Sequence, residues 1–143
     1  MQTIHQDLYV DYAFDFYLYG LQTSVSEYKL AWELNRALKF RFKKMADLCL
    51  DFVEQQALLI SNFAFNTTHC TFRLLKNRAF TPPPTEAYLL PELKEWDYFV
   101  LAQSPSTDLD QSVFLHNMQI VAAVQQAHFI HLDTIQHKEN LLF

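Results

Sequence analysis

From Leu8 to Leu18 every second residue is apolar: Leu8, Val10, Tyr12, Phe14, Phe16 and Leu18. Strand side chains point alternately to opposite faces, so this period of two predicts a strand with one buried face. Asp11 and Asp15 then lie on the other face. The run reads as one long strand or as two pieces broken near Ala13, and Gly20 is expected to close it.

Downstream, Ser24-Val25-Ser26-Glu27 has the capping-box pattern, whose side chains satisfy helix N-terminal amides. The helix it opens should run to about Lys39, with Leu30, Ala31, Leu34 and Leu38 as its apolar stripe. Lys29, Glu33 and Arg36 lie opposite, at ion-pair spacing. Residues 40–53 read as a loop and a short strand over Leu48–Val53. Ala57–Phe65 and His69–Leu75, joined by Asn66-Thr67-Thr68, have the Phe, Leu and Thr content of a β-hairpin. Pro82-Pro83-Pro84 enforces an extended connection. Pro91 suits the first turn of a short helix, Glu92 its positively polarised end, and Leu93 and Trp96 would pin that turn to the core. Tyr98–Leu101 reads as a buried strand, and Asp108-x-x-Gln111 opens a second helix to about Ala123, with Ser112, His116 and Gln119 on its wet side. A last strand covers about Ala127–Leu132. The order β-α-β-β-β-α-β predicts an α+β fold: a largely antiparallel sheet of about five or six strands with two main helices packed on one face. One domain, residues 1–143, is expected; chains of this size bury roughly 70% of their unfolded surface, and 13 Phe, 7 Tyr and 2 Trp supply a core.

Composition excludes several function classes. With Gly20 as its single glycine, the chain has neither a phosphate loop nor a dinucleotide fingerprint, both of which need glycines where the backbone approaches phosphate. The apolar runs are too short to span a bilayer, and the N-terminal residues lack the basic and apolar regions of a signal peptide. Cys49 and Cys70 are too few for a disulfide framework and read as reduced thiols. A cytoplasmic location and no membrane association are therefore expected. The net charge of −5 is unevenly spread: residues 29–78 hold nine of the eleven basic residues and four acids, and the remainder holds two basic residues and twelve acids.

Candidate chemistry is sparse. Glu92 and Asp97 are the sharpest acid–base pair, yet they stand five apart, and a capping role suits each better. Asp11 and Asp15 are four apart on a strand, roughly 13 Å, too far to chelate one ion. His128 and His131 fall on opposite strand faces, and His69 and Cys70 point apart, so neither pair makes a zinc or nucleophile site. No catalytic residue, metal or cofactor is assigned, and no small-molecule ligand is identified. Two features suggest binding. Tyr9, Tyr17 and Tyr19 lie opposite the alternating set and, if exposed, would form an aromatic strip suited to a protein interface. The ending Leu141-Leu142-Phe143 would dock either on its own domain or in a partner's groove. The expected function is a non-enzymatic protein-binding or self-associating module. The alternative is an RNA-associated factor using Arg36, Lys39, Arg41, Lys43 and Lys44 with Phe40 and Phe42, although nucleic acid is the weaker partner reading in an acidic chain.

Leu90-Pro91-Glu92-x-x-x-Trp96-Asp97-Tyr98 resembles the signature of the bacterial IPExxxVDY family. The resemblance extends to Asp11-Tyr12-Ala13-Phe14-Asp15-Phe16, to Tyr28-Lys29-Leu30-Ala31-Trp32-Glu33-Leu34-Asn35 and to the ending Lys138–Phe143. Leu90 stands for Ile, Trp96 for Val, and Ala13 where an acid is common; Trp in place of Val implies a roomier pocket behind the motif. The family carries no activity that transfers to these residues.

Overall fold

Strand β1 (Phe16–Gln22) has apolar residues on both faces, and this dictates a three-layer arrangement. A computed structural model of the chain describes residues 16–52, 55–81, 86–103 and 109–141. The Leu8–Asp15 part of the predicted strand, with Asp11, Asp15 and Tyr9, lies outside them. Phe16 and Leu18 point to one side of β1, Tyr19 and Leu21 to the other, and all four are buried. Gly20 lies inside the strand and does not close it.

Strand β1 pairs antiparallel with β7 (Tyr98–Gln103) on one edge and with β8 (Gln126–Ile130) on the other. Beyond β7 come β6 (Thr71–Lys76), β5 (Asn62–Asn66) and the two-residue β2 (Lys43–Lys44). The antiparallel sheet thus has six strands in the order β2-β5-β6-β7-β1-β8. A separate two-stranded sheet pairs β3 (Leu48–Phe52) with β4 (Gln55–Ile60). The predicted strand Ala57–Phe65 therefore divides at Ser61: Leu58 and Ile60 belong to one core cluster and Phe63 to the other, so the chain changes sheets there. The hairpin between β5 and β6 forms as expected, closed by Thr67, whose Oγ1 accepts the Cys70 amide at 3.0 Å.

Helices α1 (Glu27–Leu38) and α2 (Gln111–Gln119) cover the same sheet face. Leu30, Ala31 and Leu34 of α1 and Phe114 and Met118 of α2 pack there on Tyr19, Leu21, Phe72, Leu74 and Val100. The α1 N-cap is Ser26, two residues after the first serine of the capping-box pattern, and its side chain accepts the Lys29 amide. Asp110 caps α2, accepting the amides of Ser112 and Val113. Among the described residues, the opposite sheet face carries no helix of comparable length. Leu58 and Ile60 of β4, the turn residues Leu89 and Leu90, and Ile135 and Leu141 near the C-terminus cover it instead. Among the described residues no helix is long and apolar enough to cross a membrane.

Candidate functional site

The signature turn, Leu89 to Tyr98, is built around Asn77. This residue follows the last residue of β6 and is fully buried. Its Nδ2 donates to the carbonyls of Leu93 (2.9 Å) and Trp96 (3.0 Å), and its Oδ1 accepts the Leu90 amide (2.9 Å). Its own amide donates to the Asp97 carbonyl (3.0 Å), and its carbonyl accepts the Leu89 amide (2.7 Å). One buried side chain thus satisfies a turn whose own short 3-10 helix (Pro91–Leu93) leaves polar groups open. The sequence reading missed Asn77, because an asparagine at a strand end is indistinguishable from an ordinary turn residue.

The two motif acids serve separate segments. Glu92 Oε2 accepts the amides of Gln136 and His137, each at 2.8 Å, and both carboxylate oxygens lie 3.1 Å from His137 Nδ1. Burial by itself would raise its pKa, but its own backbone amide, the His137 amide and the His137 ring together outweigh that and hold it below the ordinary glutamate value. Asp97 Oδ2 accepts the Thr23 amide at 2.9 Å. Glu92 therefore ties down the C-terminal segment and Asp97 the link between β1 and α1. This arrangement does not make an acid–base pair of them. Behind the turn, Trp96 lies against Gly20 and His128: a β-carbon at Gly20 would stand 2.5 Å from Trp96 Cδ2. The room expected for a tryptophan at this position comes from that missing side chain.

Among the described residues, Tyr17 and Tyr19 do not form an exposed strip; Tyr9 lies outside them. Tyr19 is fully buried against Phe114 and Phe129, and Tyr17 is half-buried against Phe129. The helices occupy the face on which that strip was expected. Leu141 is also buried, so its side chain docks on its own domain, while Leu142 and Phe143 lie outside the described residues. Cys70 faces the helix-covered core with its thiol pKa pushed up to about 11 by burial, and its neighbour His69 is exposed. Among the described residues no three of His, Cys, Asp and Glu come together as metal ligands.

The basic segment folds with its phenyl rings inward. Asn35 Oδ1 accepts the Phe42 amide at 2.8 Å, and Asn35 Nδ2 donates to the Phe42 carbonyl at 3.3 Å. This clamp holds residues 39–42 against the last turn of α1, so Phe42 is buried and Phe40 packs on Phe65, Phe72 and Phe114. Phe42 is buried and Phe40 half-buried, so both rings face the core. Arg36, Lys39, Arg41 and Lys43 are exposed. Lys44 is committed to Asp47 (2.7 Å) and Ser61 (3.0 Å). The exposed aromatics here are Tyr28 (61% accessible) and Trp32 (53%), one turn apart on α1. The Arg36 guanidinium lies 4.7 Å from the Trp32 ring centroid, and the Lys29 ammonium 5.5 Å from it. The helical spacing already set Lys29 and Arg36 on the wet face, and Tyr28 and Trp32 share it.

A cleft of about 310 Å³ borders the signature turn, and a second, of about 420 Å³, is lined by Glu27, Lys44, Asp47 and Ser61 together with residues that follow β6. Lys76 and Arg78 line both, and the smaller is completed by Thr23, Tyr88, Lys94, Trp96, Asp97 and Tyr98, among others. No family model matches the chain, and no curated protein matches it.

Proposed function

We propose that this chain is a non-enzymatic cytoplasmic module of the bacterial IPExxxVDY type that binds an acidic partner protein through the outward face of α1. The observation that carries the reading is Trp32, half-exposed on that face and flanked by Arg36 and Lys29. Tryptophan, tyrosine and arginine are the residues that most often anchor protein interfaces, and an exposed tryptophan contributes little to the fold that bears it. Arg36, Lys39, Arg41 and Lys43 extend the patch with positive charge, so the complementary partner surface is acidic. A protein fits better than RNA because two cations lie over the Trp32 ring and Phe40 and Phe42 are turned inward, leaving no row of free rings for stacking. The family reading rests on the sequence motif Leu90-Pro91-Glu92-x-x-x-Trp96-Asp97-Tyr98.

The test is a photo-crosslinking amino acid at position 28 or 32 in living cells, with Gln126 as the control position. A discrete adduct with an acidic protein, resistant to nuclease and lost with Arg36→Glu, is the expected result. Adducts that nuclease removes, adducts only with a second copy of the chain, or no adduct beyond the Gln126 control would each overturn the reading. Circular dichroism on Arg36→Glu checks that the fold is intact.

A further inference from the structure

We propose that the smaller cleft beside the signature turn, walled by Lys76, Arg78 and Lys94, is a binding site for a small phosphate-bearing molecule. The proposal is independent of the α1 surface. Three cations line this cleft against a single acid, Asp97, whose Oδ2 already accepts the Thr23 amide. Such an imbalance stands out in a chain of net charge −5 with sixteen acids, where neighbouring carboxylates are plentiful. Among the described residues neither Lys76 nor Lys94 has an ion-pair partner, and the Lys94 ammonium is held over the Tyr88 ring at 5.6 Å. Arg78 pairs with Glu86 at 3.3 Å, but both side chains are more than half exposed, so the pair is readily exchanged for a ligand. Three cations against one lining acid leave a net positive charge in this cleft, even though Lys76 and Arg78 also border the larger cleft that holds Glu27 and Asp47, and a bound dianion relieves the repulsion among them.

The site is also preorganised. Lys76 is in register with Tyr98 across the β6–β7 ladder, and Arg78 forms a bridge with Tyr88. Between them Asn77 faces inward and is fully bonded, which fixes the two flanking residues as exposed side chains at the cleft wall. Groups held by a rigid, hydrogen-bonded floor bind with less loss of freedom than groups on a mobile loop. The chemical class follows from the donors: the arginine fork suits two oxygens of one tetrahedral anion, and the lysines supply point charges around it. With one glycine in the chain, side chains must do the work that a glycine-rich backbone cradle does elsewhere.

Pyrophosphate is the probe. The chain has two tryptophans, so a Trp32→Phe background leaves Trp96, in the cleft wall, as the sole tryptophan, read by excitation beyond the tyrosine band. In phosphate-free buffer the expected result is a saturable change in Trp96 fluorescence, with one pyrophosphate per chain by calorimetry and a Kd below about 1 mM. Lys76→Gln, Arg78→Gln or Lys94→Gln should each weaken it about tenfold or more, while Arg41→Gln, outside the cleft, leaves it unchanged. A nucleoside diphosphate should bind at least as tightly as pyrophosphate. No saturation by about 10 mM would sink the proposal, as would equal affinity for sulfate or an equal loss with Arg41→Gln. A single-stranded oligonucleotide that binds more tightly and is weakened by Arg41→Gln would overturn it in favour of a general polyanion surface. Circular dichroism on every variant separates loss of ligand from loss of fold.

Discussion

At Gly20 a β-carbon would stand 2.5 Å from Trp96 Cδ2, 2.8 Å from Trp96 Cγ and 2.9 Å from Ile130 Cδ1. The glycine is required by this close approach, since its φ lies outside the left-handed region. Gly20→Ala must therefore displace a wedged indole, and overpacking of this kind costs about 1–3 kcal/mol. Urea denaturation should report that loss, and it should shrink in a Trp96→Val background; equal losses in both would mean that the indole is not what excludes the methyl. The neighbouring Tyr19 predicts the opposite sign. Its hydroxyl is buried with no hydrogen-bond partner among the described residues, and burial, with Tyr17 and Cys70 adding, pushes its pKa up to about 12. The group stays neutral across the physiological range, so its cost is that of an unpaired hydroxyl, about 1–3 kcal/mol. Tyr19→Phe keeps the ring contacts with Phe114 and Phe129 and should leave stability unchanged or raise it by about 1 kcal/mol. A drop of more than about 1 kcal/mol would reveal a partner for the hydroxyl.

At the scale of elements, the signature turn behaves as a clasp, and its pH response follows from Glu92. The folded pKa of Glu92 lies below its unfolded value, so its contribution is complete above the ordinary glutamate pKa of about 4.3 and is lost as pH falls through the lower folded value. Chemical denaturation should find Glu92→Gln less stable than the natural chain at pH 7, with the gap closing as the pH is lowered to about 3. A gap independent of pH would show that the carboxylate's charge plays no part. Much of this turn was legible in the sequence: Pro91 and Glu92 marked its start, and Leu93 and Trp96 its anchors. The partners were not. Asn77, Thr23 and His137 reach the turn from elsewhere in the chain, and contacts between residues so distant in sequence leave no local period or cap to read. The same limit explains Phe40 and Phe42. Their spacing among basic residues suggested a surface, whereas the Asn35 clamp turns them into the core.

For the whole molecule, the α+β class and the helix-covered face followed from period and element order, while the second covered face did not. A strict alternation in Leu8–Leu18 suggested one wet face, but β1 lies between two covered layers. The second layer comes from short pieces with weak patterns: β4, the signature turn and the 3-10 turns over Leu132–Thr134 and Lys138–Leu141. Those pieces are held by few regular backbone bonds, so their attachment depends on buried side chains and on the Glu92 clasp. Removing residues 135–143 tests this dependence. The truncation removes Ile135 and Leu141 from the core cluster that also holds Phe16, Leu18 and Leu101, and it strips Glu92 of its donors from Gln136 and His137. Burial of two aliphatic side chains accounts for about 3–6 kcal/mol, a large share of the 5–15 kcal/mol that holds a typical domain together. The truncated chain should melt at a markedly lower temperature and bind a hydrophobic dye at pH 7, with amide exchange accelerated first in β4 and the signature turn. Helices α1 and α2 lie on the far side of the sheet and should keep their circular dichroism until the global transition. Simultaneous loss of both layers would mean that the C-terminal segment is integral to one cooperative core, and an unchanged melting temperature would mean that it adds nothing to the fold.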